Sequence, residues 1–171
     1  MNKFPLNILT MFGIGYSKYI PGTVASFVTC LIFFALIELD FSIQKYKIYL
    51  VLFIILIFLY SVVYIDKLSK NFKEKDAKEI VIDEFVGQSI PLIALLYPKF
   101  IMNFDATIYT KYFYLWIVLS FFLFRFFDII KPFPINLVDE KMKNALGVML
   151  DDIIAGIYTT IVIYIIYALC F

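Results

Sequence analysis

The chain has 171 residues, of which 63% are hydrophobic and 17% are charged. Soluble domains contain only about 45–50% apolar residues, so this composition excludes an ordinary water-soluble fold and predicts one membrane domain over residues 1–171. The formal net charge of +1 excludes the strong basic field that nucleic acid binding requires. The two cysteines, Cys30 and Cys170, lack the spacing of a metal site, and a disulfide framework is not expected.

The chain contains no histidine. This excludes acid–base catalysis by histidine, Ser-His-Asp triads and lipid phosphatases that attack through a histidine. The sequence also lacks a Cys-x5-Arg loop, which excludes a thiolate phosphatase. Any catalysis must therefore use carboxylates, lysine, arginine, hydroxyl groups, backbone groups or a metal ion.

A Gly-rich stretch, GIGYSKYIPGT at residues 13–23, leads into the first long apolar segment. The backbone N–H groups of such a turn can bind an anion, although the same pattern also occurs in turns without a ligand. Thr23 is predicted to cap the following helix, whose N-terminus carries the positive end of the helix dipole.

Five apolar segments follow, and they predict an all-α bundle with four to five membrane spans. The segments cover about residues 23–39, 47–65, 82–101, 112–130 and 148–170. The third segment begins with Asp83 and Glu84 and contains Pro91 and Pro98. A proline inside a helix removes a hydrogen bond, so this segment is predicted to be kinked or short.

The distribution of lysine and arginine predicts the orientation of these segments in the membrane. With the N-terminus inside, all but four of the 15 basic residues fall on the inner side. This orientation brings four polar features to one cytoplasmic face: the Pro-Gly-Thr turn, the acid pair at 83–84, residues 125–131 and the acid pair at 151–152. Separated polar features that meet at one depth are typical of a site in a helix bundle, so the active site is predicted there.

Charged residues also lie close to the apolar runs where the last two apolar segments meet. Arg125, Asp128 and Lys131 are one helical turn apart, and Asp151 and Asp152 lie near the start of the next segment. Each charge costs roughly 2.5–3.5 kcal/mol at a bilayer centre, so such groups persist where they pair, bind an ion or lie at a wet interface. Carboxylate clusters suit Mg²⁺, and nearby arginine and lysine suit phosphate, which favours metal-assisted phosphoryl chemistry.

Two connectors carry most of the remaining charge. The lysines of residues 66–81 can attract anionic membrane lipids, although the positive-inside rule explains most of them. In the second connector, residues 136–146, Asp139 and Glu140 are interpreted as solvated helix charges.

Four stretches together resemble the phosphatidylglycerophosphatase A family of bacterial membrane lipid phosphatases. They are GIGYSKYIPGTVASF, DAKEIVIDEFVGQ, FRFFDIIKPFPI and GVMLDDIIAGIY. The resemblance implies Mg²⁺-dependent removal of the terminal phosphate from phosphatidylglycerophosphate, giving phosphatidylglycerol at the inner membrane. It implies acidic motif positions at Asp76, Asp83, Glu84, Asp128, Asp151 and Asp152, and basic ones at Arg125 and Lys131.

Under this hypothesis, Mg²⁺ binding and catalysis are assigned to Asp83, Glu84, Asp128, Asp151 and Asp152, with Asp76 in support. Phosphate binding is assigned to Arg125, Lys131, Thr23 and Gly22. A carboxylate would orient or deprotonate water, or attack directly, and the sequence leaves both routes open. The chain departs from the family pattern at Lys18, Ala25, Ala77, Asn144 and Ala145, which affects turns rather than acids or bases.

Two other hypotheses remain open at this point. A CDP-alcohol phosphotransferase is also membrane-bound and rich in carboxylates, but its Asp-Gly-x-x-Ala-Arg pattern is missing here. A small ion-coupled transporter would place acids near the middle of the membrane, whereas these acids cluster at one predicted face. Phosphate release from a lipid phosphate monoester, with and without Mg²⁺, discriminates among the three hypotheses.

Overall fold

The computed structural model describes residues 4–38, 43–69, 78–96 and 111–170. Over these ranges the chain forms α-helices and no strand, which confirms the predicted all-α fold. The helices are α1 (Phe4–Leu9), α2 (Pro21–Glu38), α3 (Ile43–Ser69), α4 (Ile82–Leu96), α5 (Phe113–Ile130), α6 (Ile135–Lys141) and α7 (Ala145–Cys170), with a 3-10 turn at Ile14–Tyr16.

Four segments are long and apolar enough to cross a membrane. They are Pro21–Glu38, Ile48–Lys67, Phe113–Ile130 and Ala145–Cys170. Large apolar side chains such as Leu56, Phe122 and Leu169 are exposed on these helices. Exposed apolar surface of this extent suits lipid rather than water, so the predicted membrane helix bundle is confirmed, with four candidate spans in the described part of the chain.

Helix α4 differs from these four because it lies inside the bundle. Eleven of its 15 residues are buried, and it packs against α2, α3, α5 and α7. It is not one of the candidate spans, and Pro91 lies within it. The rest of the predicted segment 82–101, including Pro98, falls outside the described residues.

Two glycines let α4 and α7 approach each other closely. A Cβ atom at Gly87 would lie 2.6 Å from the carbonyl oxygen of Asp152, and one at Gly156 would overlap the carbonyl oxygen of Gly87. Helices without side chains at their contact can bring their backbones together, and any larger residue would push them apart. This approach places the start of α4, with Asp83 and Glu84, beside Asp152.

The N-terminal segment packs against the residues that lead into α4. The backbone N–H of Val81 donates to the carbonyl oxygen of Leu9 at 3.0 Å. The N–H groups of Gly13 and Gly15 both donate to the carbonyl oxygen of Thr10, at 3.1 and 3.0 Å. Because these two donors are used inside the turn, they are not available to an anion.

Helix α2 begins two residues earlier than predicted, at Pro21. Proline suits the first position of a helix, because its fixed φ is helical and its missing N–H would have no partner there. Thr23 therefore lies in the first turn of α2 rather than in front of it. The prediction that Thr23 caps this helix is wrong.

Candidate active site

A cavity of about 730 Å³ lies at the end of the bundle where α2, α4 and α7 begin and α5 ends. The residues that line it include Pro21, Gly22, Lys78, Asp83, Glu84, Asp128, Lys131, Asp139, Lys143, Asp151 and Asp152. All four polar features that the sequence predicted to meet at one face contribute to this lining. Their convergence on one cavity is therefore confirmed.

Three helix N-termini point their positive dipole ends at this cavity. Pro21 and Gly22 begin α2, and the first turns of α4 and α7 also belong to the lining. Unpaired N–H groups and the helix dipole favour negative charge at such a position. The arrangement therefore stabilises both the carboxylates of the first turns and an anionic ligand.

Asp83, Glu84 and Asp152 form a carboxylate cluster. One carboxylate oxygen of each residue lies within 4.8 Å of the other two, and Asp152 is only 3% exposed. Glu84 Oε2 is buried and has no hydrogen-bond partner among the described residues. Crowded carboxylates repel one another unless they share a proton or bind a cation, and an all-oxygen set with an unused oxygen fits a hard ion such as Mg²⁺.

The pKa of Asp83 reflects how closely the carboxylates of this cluster are packed. Asp83 belongs to α4, which lies outside the four candidate spans. Burial raises the pKa of Asp83, and the neighbouring Glu84 carboxylate raises it further. A bound cation would favour the charged form of Asp83 and offset both effects.

Arg125 connects α5 to the carboxylate cluster. Its Nη1 lies 2.6 Å from Asp128 Oδ2 and 4.0 Å from Glu84 Oε1. The first distance confirms the predicted alignment of Arg125 and Asp128 on one helix face. Its Nε is buried and has no hydrogen-bond partner in the described part of the chain. The guanidinium group thus retains a donor for an anion beside the cavity.

Gly22 contributes to the site by having no side chain. A Cβ atom at this position would overlap Glu84 Oε1 and lie 3.3 Å from Arg125 Nη1. The absence of a side chain therefore lets the Glu84 carboxylate lie against the start of α2. The neighbouring Thr23, which the sequence also assigned to phosphate binding, is not one of the residues that line the cavity.

Lys131 ends α5 in the left-handed conformation, with φ 47° and ψ 60°. Its Nζ pairs with Asp151 Oδ2 and lies 3.1 Å from Asp139 Oδ1. Burial alone would lower the pKa of Lys131, but hydrogen bonds and attraction to these two carboxylates raise it above the ordinary value. Lys131 is therefore a fixed positive charge on the cavity wall. We call Arg125, Asp128, Lys131, Asp139 and Asp151 the ion-paired group.

Asp139 lines the cavity, although the sequence did not assign it to the site. Asp139, interpreted from the sequence as a solvated helix charge, has a side chain that is 40% exposed, and it also pairs with Lys131. The turn that begins at Pro132 returns the chain to the cavity, and no helical periodicity reports such a reversal. Glu140, by contrast, is exposed as predicted. Asp76 lies outside the described residues.

The two adjacent acids of α7, Asp151 and Asp152, lie next to different residues. Asp152 belongs to the carboxylate cluster, whereas Asp151 pairs with Lys131. Both residues line the cavity. Asn144, one of the departures from the family pattern, caps α7, because its Oδ1 accepts a hydrogen bond from the N–H of Gly147 at 2.8 Å.

Comparison with known proteins shows similarity along nearly the whole chain. The family model described as Phosphatidylglycerophosphatase A matches residues 7–167. Phosphatidylglycerophosphatase A of Haemophilus influenzae is 37% identical over 161 residues, which cover 94% of this chain and 87% of that protein. The protein of the same name from Escherichia coli is 29% identical over 161 residues, 94% of this chain and 82% of that protein.

A further relative carries a different name. A putative phosphatidylinositol-3-phosphatase of Bacteroides thetaiotaomicron is 31% identical over 160 residues, which cover 93% of this chain and 91% of that protein. No solved structure matches the chain.

Proposed function

Since the chain belongs to the phosphatidylglycerophosphatase A family, we propose that it hydrolyses the terminal phosphate of phosphatidylglycerophosphate and releases phosphatidylglycerol. Family membership makes the chain a phosphatase of phospholipid metabolism, and its four apolar helices make it a membrane protein. The observation that carries the finer proposal is a cavity lined by carboxylates and cations at one end of a bundle of these helices. A lipid substrate can stay in the bilayer while its headgroup enters this cavity.

The two alternative hypotheses are less consistent with these observations. A CDP-alcohol phosphotransferase does not account for the family match over residues 7–167. A transporter would need acids near mid-membrane. Asp151 and Asp152 instead lie in the second turn of the 26-residue helix α7, near its end.

We propose that the cofactor is Mg²⁺, held by the carboxylates of Asp83, Glu84 and Asp152. The proximity of their oxygens and the unpartnered Glu84 Oε2 support this choice. A bound Mg²⁺ would supply positive charge that offsets the charge of the reacting phosphate. Asp128 and Asp151, which the sequence also assigned to the metal, face Arg125 and Lys131 instead, so we assign them to holding these cations in place.

Arg125 and Lys131 are proposed to hold the terminal phosphate. Both are fixed by carboxylates, so they need little reorganisation when a phosphate arrives. Arg125 retains its buried Nε donor, and the N-terminus of α2 adds a positive dipole end at Gly22. These groups would offset charge on the three phosphate oxygens as the ester bond breaks.

Two routes for the hydrolytic step remain consistent with the cavity. In the first, a carboxylate takes a proton from water, the water oxygen bonds to phosphorus, and the glycerol oxygen leaves and gains a proton. In the second, a carboxylate attacks phosphorus and displaces the glycerol oxygen, which gains a proton, and water then attacks phosphorus of the acyl phosphate and releases inorganic phosphate and the carboxylate. A chiral phosphate ester distinguishes them, because one displacement at phosphorus inverts its configuration and two displacements retain it.

We also propose that the cavity faces the cytoplasm. The excess of lysine and arginine at the cavity end of the bundle supports this orientation. In a variant with both native cysteines replaced by serine, Lys141→Cys should resist impermeant thiol reagents in sealed cells, whereas Lys111→Cys should react. The reverse labelling pattern would overturn the orientation.

Phosphate release by the purified protein tests the proposed function. In neutral detergent with phosphatidylglycerophosphate, we expect release of inorganic phosphate with Mg²⁺, loss of release with a chelator, and recovery when Mg²⁺ is restored. Phosphatidylinositol 3-phosphate serves as a parallel substrate, because one relative carries that putative activity in its name. A folded protein that releases no phosphate from phosphatidylglycerophosphate, or that strongly prefers the inositol lipid, would contradict the proposal.

A further inference from the structure

Two lysines of the cavity have no role in the arrangement proposed above. Lys78 lies four residues before α4, and Lys143 lies two residues before α7. Both line the cavity and both are exposed, which places them at its open side. Their position differs from that of the carboxylate cluster, in which Asp152 is only 3% exposed.

The two lysines also differ from the other cations in their electrostatic surroundings. Arg125 and Lys131 are each close to two carboxylates. Over residues 4–38, 43–69, 78–96 and 111–170, neither Lys78 nor Lys143 forms an ion pair. No carboxylate of the described chain pairs with them, so their charge can attract an anion that enters the cavity from the open side.

The size of the cavity indicates a ligand larger than one phosphate group. Its volume of about 730 Å³ lies within the ~300–1,000 Å³ typical of pockets that bind whole small molecules. The substrate of the proposed function carries two phosphates, a terminal monoester and an internal diester that connects its two glycerol units. With the monoester at Arg125 and Lys131, the diester lies one glycerol unit away, within reach of other groups of the cavity lining.

The start of α7 adds a further positive element on the same side. Gly147 and Val148, in its first turn, line the cavity. The N–H of Gly147 donates to the capping side chain of Asn144. The positive end of the helix dipole still favours an anion next to Lys143. Lys143 and the N-terminus of α7 are adjacent in the sequence, and together they can bind one phosphate diester.

We propose that Lys78 and Lys143 bind the internal phosphodiester of the lipid headgroup and so select lipids with two phosphates over lipids with a single phosphate monoester. The proposal rests on the proposed function of the same cavity. Each lysine donates hydrogen bonds from Nζ to the charged oxygens of the diester, and no bond of the diester is broken. The two lysines are thus specificity residues, whereas Arg125 and Lys131 hold the reacting phosphate.

The test compares Lys78→Gln, Lys143→Gln and the double variant in neutral detergent micelles, which contain no other anionic lipid. Two competing lipids report the two halves of the headgroup: phosphatidylglycerol carries only the diester, and phosphatidic acid carries only the monoester. In the double variant, we expect kcat/KM for phosphatidylglycerophosphate to fall about tenfold and the inhibition constant of phosphatidylglycerol to rise about tenfold. The inhibition constant of phosphatidic acid should change less than about twofold.

Lys141→Gln is the matched control. Lys141 is an exposed lysine at the end of α6 that does not line the cavity, so all three constants should stay at wild-type values. A thermal melt of each variant checks the fold. If the double variant is unstable, the single variants still test the proposal, because each should change kcat/KM and the inhibition constant of phosphatidylglycerol about threefold. Equal losses for both competing lipids, unchanged constants, or losses in Lys141→Gln would overturn the proposal.

Neighbouring anionic lipids are the other possible source of a phosphodiester. If the lysines bound those lipids, the variants would lose activity only in anionic vesicles and would behave as wild type in neutral micelles, which would also overturn the proposal. A wild-type protein that does not hydrolyse phosphatidylglycerophosphate would overturn the proposed function and this proposal with it. An active wild type with insensitive variants would overturn this proposal alone.

Discussion

The carboxylate cluster and the ion-paired group lie at the same cavity in different electrostatic surroundings, and all of their residues except Arg125 line it. In the cluster, Asp83, Glu84 and Asp152 face one another, and no cation of the described chain lies closer than 4.0 Å to the Glu84 carboxylate. In the ion-paired group, every acid contacts an arginine or a lysine. The comparison teaches that residue type alone does not assign a role: acids that face one another are suited to a metal ion, whereas acids in direct contact with a cation position it for phosphate.

The largest effect is expected from Asp152→Asn, which keeps the size of the side chain and removes its charge. If Asp152 holds Mg²⁺, turnover should fall by at least about 100-fold, and excess Mg²⁺ should restore part of it. Phosphate release measured against Mg²⁺ concentration shows both effects. Glu140→Gln, which changes an exposed acid outside the cavity, is the control and should keep wild-type turnover.

Arg125→Lys should have the next largest effect and should respond differently to Mg²⁺. Lysine keeps the charge but lacks the planar donors of arginine. Transition-state stabilisation should weaken by roughly 2–4 kcal/mol, as when one preorganised donor is lost. Because the metal ligands remain, raising Mg²⁺ should not restore turnover. Recovery at high Mg²⁺ would place Arg125 with the carboxylate cluster and remove the distinction between the two groups.

Gly22→Ala tests how closely α2 and the carboxylate cluster approach. The added Cβ would overlap Glu84 Oε1, so the carboxylate must move. Overpacking of this kind costs about 1–3 kcal/mol, and we expect turnover to fall about tenfold. Since Glu84→Asp shortens the acid and relieves the overlap, the double variant should be no less active than Glu84→Asp alone. Additive losses in kcat/KM would show that Gly22 acts independently of Glu84.

Asp139→Asn should have the smallest effect of the series. Its carboxylate pairs with Lys131, but the side chain is 40% exposed, and exposed ion pairs contribute about 1 kcal/mol or less. Lys131 also keeps Asp151 as a partner. We therefore expect kcat/KM to fall no more than about fivefold, with the Mg²⁺ dependence unchanged. A loss as large as that of Asp152→Asn would mean that Asp139 belongs to the chemical step.

Local spacing predicted the contacts that lie within one helix. Arg125 and Asp128 are three residues apart, and a helix places them on one face, as the 2.6 Å ion pair confirms. Topology predicted the convergence of distant acids, because alternating spans return every second connector to the same face. Those two arguments recovered the cavity and most of its charged lining.

Other features depend on packing or turn geometry, which the hydrophobic periodicity of the sequence does not predict. A turn brings Asp139 next to Lys131, and the hydrophobic pattern of the sequence does not predict this turn. The division of Asp151 and Asp152 between two neighbours depends on how closely α4 packs on α7, which Gly87 permits. The predicted cap at Thr23 failed because Pro21 can itself occupy the first helical position.

Thermal stabilisation by Mg²⁺ tests the central difference between the two groups without relying on turnover. A ligand that binds only the folded protein stabilises it by about 2.7 kcal/mol at 100 times its Kd, so Tm should rise with Mg²⁺ in the wild type. We predict that Asp152→Asn abolishes this rise and that Asp128→Asn, from the ion-paired group, keeps it. A rise that persists in Asp152→Asn, or that disappears equally in Asp128→Asn, would contradict the assignment of Mg²⁺ to the carboxylate cluster.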